Sequence, residues 1–138
     1  MIGVDTNILA RYYVDDPGDA EAAGQRRRAE RVMRDSEHVF VPMTVVLELT
    51  WVLRSLYAFS AADCASVIEH LVGLPNVTVE AWPKVLQAAR LLRAGLDFAD
   101  ALHLASSDAC ETFLTFDDRR FAKRAQKLGC VPAVQTPD

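Results

Sequence analysis

Four carboxylates stand out in this chain by where they fall: Asp5, Glu48, Asp100 and Asp117. Asp5 and Asp117 each follow a short apolar run, MIGV and TFLTF, that reads as a strand. In parallel sheets ligands bind in the crevice beyond the carboxyl ends of the strands, where both acids would stand. A polar residue after a strand also starts turns and caps helices, so that local account stays open. Glu48 lies in the helical stretch TVVLELTWVLRSLY, and its neighbours one turn away, Thr44, Val45, Trp51 and Val52, carry no positive charge. That helix is apolar on most faces, so Glu48 is expected to be buried, at a cost unless it is paired, protonated or bound to a cation. Asp97 and Asp100 form Asp-x-x-Asp at a helix start, where Asp97 is a natural N-cap and Asp100 favours the helix dipole. One turn on, His103 could complete a metal site or simply make a hydrogen bond.

Carboxylates gathered in one pocket raise one another's pKa unless a cation compensates. Hard oxygen ligands without Cys or paired His select Mg²⁺ or Mn²⁺ over Zn²⁺. Such ions leave coordination positions to water and substrate phosphate, which points to phosphodiester chemistry. The formal net charge of −4 is the wrong sign for a nucleic-acid ligand. Without the four acids, however, the rest of the chain is formally neutral.

The frame that must position these acids is an alternation of strands and helices. Residues 1–5 read as a short buried strand, 19–35 as a charged and mostly exposed helix, and 38–41 as a second strand closed by Pro42. Thr44 is placed to cap the long apolar helix, and Ser60 with Asp63 to cap the next, which ends at Gly73. Val77–Val79 is a brief strand; a helix follows with Pro83 near its start and Gly95 past its end. Asp97 opens another helix, Thr112–Phe116 is a strand, Gly129 stops the last helix, and Val131–Val134 forms an edge strand. The expected fold is α/β, a three-layer α/β/α sandwich with a mainly parallel central sheet, in one domain over 1–138. Cys64, Cys110 and Cys130 are far apart and odd in number, which fits buried free thiols in a reducing cytosol. With no signal peptide and no apolar run near ~20 residues, a soluble cytoplasmic protein without membrane contact is expected.

Four segments, VDTNILARYY at 4–13, VPMTVVLELTWVLRSLY at 41–57, GLDFADALHLASS at 95–107 and LTFDDRRFAK at 114–123, occur in an order that resembles the PIN-domain ribonucleases. Within that family the chain is most similar to the VapC-type toxins of toxin–antitoxin pairs. The resemblance implies that Asp5, Glu48 and Asp100 are the core metal-binding acids and Asp117 a fourth, less strictly required one. It puts Thr6 or Asn7 near the metal water or the scissile phosphate, unless they only cap a helix, and makes Asp97 a supporting acid. Asp118 receives no role. Further implications are metal-dependent endonucleolytic cleavage of RNA, inhibition by a small cognate antitoxin, and a homodimer.

Arg27, Arg31 and Arg34 share one helical face and could guide RNA, although a solvated face or an antitoxin contact explains them as well. Two other functions compete. A haloacid-dehalogenase-like phosphatase also places an Asp after its first strand, but normally needs a second Asp two residues on, where this chain has Asn7. A non-catalytic binding module on the same fold is the other, and the intact acids speak against it.

Overall fold

A computed structural model describes residues 1–138. Strands and helices alternate, and every strand pairing is parallel, which makes the chain mixed α/β. The residues gather into two compact units, Met1–Trp82 and Pro83–Asp138.

In the first unit, β1 (Ile2–Gly3), β2 (Val39–Val41) and β3 (Val77–Val79) form a sheet in that order, with Ile2 opposite Val39 and Val39 opposite Val77. Parallel neighbours need long crossovers, and helices supply them. Between β1 and β2 run α1 (Thr6–Tyr13) and α2 (Ala20–Asp35); between β2 and β3 run α3 (Met43–Leu56) and α4 (Ala61–Gly73). Val39 and Val41 of the central strand are fully buried, as are Leu9 of α1, Val46 and Leu49 of α3 and Leu71 of α4. The Asn76 amide donates to the carbonyls of Met33 and Ser36, both at 2.9 Å, which ties the end of α2 to the approach to β3.

The second unit holds α5 (Trp82–Arg93), apart from its first residue, and α6 (Phe98–Ala105). Then come β4 (Thr112–Leu114), a π-helical turn at Asp118–Ala122, α7 (Lys123–Lys127) and β5 (Ala133–Gln135). β4 and β5 pair in parallel, Thr112 opposite Ala133. Gly95, at φ +108°, ends the α5 segment in a conformation that favours glycine. Val85, Ala88, Phe98, Ala101 and Leu104 supply its buried apolar side chains.

Several expectations change at the level of single elements. The strands pair as a three-stranded and a two-stranded sheet, both parallel, consistent with the expected α/β/α fold. The first strand is shorter than residues 1–5, and both its residues are exposed; Val4, just past it, is buried. Ser60 caps its helix as expected, its Oγ accepting from the Asp63 N–H at 3.1 Å, and Asp19, where the charged helix was read to begin, caps α2. Thr44 does not cap α3. That helix starts earlier, after Pro42, and its Met43 N–H donates to Glu80 Oε1 at 2.8 Å, so a residue beyond β3 satisfies a donor at its start. The cysteines are free, but only Cys64 is buried; Cys110 is exposed. No helix is long and apolar enough to cross a membrane.

Because Glu80 serves the first turn of the helix that carries Glu48, Glu80→Ala is expected to destabilise the protein by about 1 kcal/mol, the usual worth of a cap. Urea denaturation followed by circular dichroism checks this, and an unchanged midpoint would show that the contact contributes nothing.

Candidate functional site

In the first unit the sequence brings two of its acids to one residue. Asp5 ends the approach from β1 and is the N-cap of α1, its Oδ1 accepting from the Thr6 N–H at 2.7 Å. Thr6 is the first residue of α1 and is buried, and its hydroxyl donates to Glu48 Oε1 on α3. Backbone amide and side-chain hydroxyl of one threonine thus serve two carboxylates 43 residues apart in sequence. Asp5 Oδ2 and Glu48 Oε2 are left for another partner. Both acids line a cavity of about 420 Å³ together with Thr6, Asn7, Arg11 and Gln25.

Glu48 is not buried, contrary to the expectation from its apolar helix. α3 turns Val46, Leu49, Thr50 and Leu53 inward, whereas Trp51, at 63% exposure, and Leu56 are exposed like Glu48. An apolar composition on several faces did not mean burial on all of them. Glu48 is exposed where it lines the cavity, so its carboxylate keeps contact with water.

The second unit gathers its own acids. Asp97 is the N-cap of α6 and its Oδ2 accepts from the Asp100 N–H at 3.4 Å, the capping role open to it from sequence. Asp117 does not follow its strand directly, since β4 stops at Leu114 and Phe116 is 90% exposed. Instead Asp117 caps the π-helical turn, accepting from the Arg120 N–H at 2.9 Å. Asp100 is half-buried, and its pKa is pushed up, first by burial, then by the charge of Asp97, with Asp117 adding to the rise and His103 opposing it. Asp97 and Asp117 are thus near enough for their charges to act on Asp100, as is that of the exposed His103. Asp118 pairs with Lys123 at 3.2 Å, which accounts for that acid without a further role.

The arginine face proposed for RNA behaves differently from the acids. Arg27, Arg31 and Arg34 are exposed on α2, and none lines the cavity that holds Asp5 and Glu48. Arg34 is held by Asp35 at 2.7 Å, so part of its charge is offset. The cation in the cavity is Arg11, which sequence reasoning passed over. Its signal was its place one helical turn after Asn7, on the same face of α1.

A search with models of protein families matches the PIN domain over residues 2–127, through both units. The chain belongs to the PIN-domain family. PIN domains are in general metal-dependent nucleases acting on RNA or other nucleic acid. A search of curated proteins gave no match. The side chains present suit the divalent ion that PIN domains generally bind: Asp5 and Glu48 offer carboxylate oxygens and Asn7 an amide oxygen, with no sulfur ligand beside them. Nowhere do three His, Cys, Asp or Glu side chains converge into a ready-made cage.

The raised pKa of Asp100 has a testable consequence. An acid whose folded pKa lies above its unfolded value makes the folded state lose stability as pH rises from the ordinary carboxylate value through the raised one. Asp97→Asn, which keeps the cap, is expected to lower the Asp100 pKa and shrink that loss. Carboxyl-carbon NMR titration of both proteins checks it, and an unmoved Asp100 pKa would show that Asp97 has no part in the shift.

Proposed function

We propose that this PIN-domain protein is a metal-dependent endoribonuclease whose metal-binding acids are Asp5, Glu48, Asp100 and Asp117. The observation that carries the proposal is the pair Asp5–Glu48, joined through Thr6 at the mouth of one cavity with an oxygen of each carboxylate left over. A bound Mg²⁺ or Mn²⁺ would acidify a water and offset charge on the phosphate. Thr6 acts as a positioning residue, fixing the rotamer of Glu48 through its hydroxyl. The Asn7 amide, exposed one residue on, is suited to the scissile phosphate or to the attacking water. Asp97 supports Asp100 by starting its helix and by keeping negative charge beside it. In the reaction the water oxygen joins phosphorus as the bond to the 3′ oxygen breaks, and the leaving oxygen takes a proton. The products are a 5′-phosphate and a 3′-hydroxyl.

We also propose that residues 1–138 act as a single nuclease domain and as the toxin of a toxin–antitoxin pair, working in the cytoplasm as a homodimer and silenced by a small cognate antitoxin. What supports that finer reading is that the four motifs, in their order, resemble those of VapC-type toxins.

Purified protein is expected to cut structured RNA with Mg²⁺ or Mn²⁺ and to stop when the ion is chelated. Asp5→Asn, which still caps α1, should lower the rate by about 100-fold or more, and Thr6→Val by about 10- to 100-fold, as for residues that orient metal ligands. Equal cleavage by the parent and by Asp5→Asn would rule out the proposed centre.

A further inference from the structure

Arg11 is the cation of the Asp5–Glu48 cavity, and nothing in the chemistry above uses it. It lies on α1, half-buried, and two neutral groups from other elements hold its guanidinium. Nε donates to Gln25 Oε1 on α2 at 2.9 Å, and Nη1 reaches the Tyr57 hydroxyl beyond α3 at a long 3.5 Å. Gln25 is itself oriented, its Nε2 donating to Glu21 Oε1 at 3.4 Å. Neither acceptor of Arg11 is charged, so neither offsets the guanidinium. Of its five N–H donors these contacts occupy one on Nε and one on Nη1, which leaves the Nη1/Nη2 edge able to donate to an anion. Holding a half-buried cation on neutral groups costs more than pairing it with a carboxylate, unless an anion arrives to complete the site.

A second cavity, of about 230 Å³, shares Asn7, Arg11 and Gln25 with the first and adds Arg28. Arg28 is exposed on α2, one turn after Gln25. Arg11 therefore stands where the two cavities meet, with the acids on one side and a second cation on the other. Two cations in file beside a pair of acids match a polyanion with evenly repeated charges better than a lone small anion.

We infer that Arg11 and Arg28 form a phosphate track for single-stranded RNA, Arg11 gripping the backbone phosphate next to the one that is cut and Arg28 the phosphate beyond it. The inference rests on the nuclease reading and deepens it. Arg11 is a binding residue preset by Gln25, and it supplies the fixed positive charge that a pocket of acids lacks. A net charge of −4 is no obstacle to RNA binding when the positive charge lines the path to the acids.

The test is RNA binding by fluorescence anisotropy against salt, using a labelled single-stranded oligoribonucleotide with Mg²⁺ and the Asp5→Asn protein as parent to suppress cleavage. Each lost phosphate contact lowers the slope of log K against log salt by about 0.7 on a single strand. Arg11→Gln is expected to weaken binding by about 10-fold and to lower the slope by about 0.7, and Arg11→Lys to restore the slope. Arg28→Gln, on an exposed position that does not threaten folding, is expected to lower the slope by a similar step. Unchanged slopes in Arg11→Gln and Arg28→Gln would overturn the phosphate track and leave the nuclease reading standing. No RNA binding by the parent at any salt would overturn both.

Discussion

Thr6 is the residue on which the geometry of the first unit's acids depends. Its amide anchors Asp5 and its hydroxyl anchors Glu48, so the hydroxyl ties the start of α1, and the acid beside it, to the middle of α3. Because Thr6 is buried, those contacts form where water competes poorly, and losing one would leave a group unsatisfied. The packing of Leu9 on α1 and of Val46 and Leu49 on α3 then holds the two helices in place. Apolar burial brings the elements together; the threonine decides which oxygens point outward.

The acids also have dual duties. Asp5, Asp97 and Asp117 each begin a helix, accepting backbone N–H groups that would otherwise lack partners. Capping uses one oxygen of each carboxylate and fixes its direction, which is also what a metal ligand or its neighbour requires. Local structure and chemistry are therefore not competing explanations for these residues. The cost shows at Asp100, where burial and like charges push the pKa up and a cation would relieve the repulsion.

Much of this was readable from residue order. Alternating apolar runs and capped helices gave a mixed α/β fold with parallel strands, since only crossover helices fit between such strands. Asp19, Ser60, Asp97 and Gly95 sit at helix ends for reasons contained in their own side chains and backbones. Long-range contacts were not readable. Glu80 serves α3 from 37 residues away, and no local pattern reveals that Thr44 is left out. Burial of Glu48 was inferred from composition, but a helix with apolar residues on several faces does not say which face is covered. The contacts that single out Arg11, to Gln25 and Tyr57, join residues distant in sequence.

The central claim is that the carboxylates joined through Thr6 hold a divalent ion. Its most direct test is Mn²⁺ binding by electron paramagnetic resonance, comparing the unsubstituted protein with Glu48→Gln, which keeps the size of the side chain and an acceptor for the Thr6 hydroxyl. The account predicts saturable Mn²⁺ binding by the first and an affinity lower by about 10-fold or more in the second, with folding unchanged. Equal affinities in two folded proteins would contradict it.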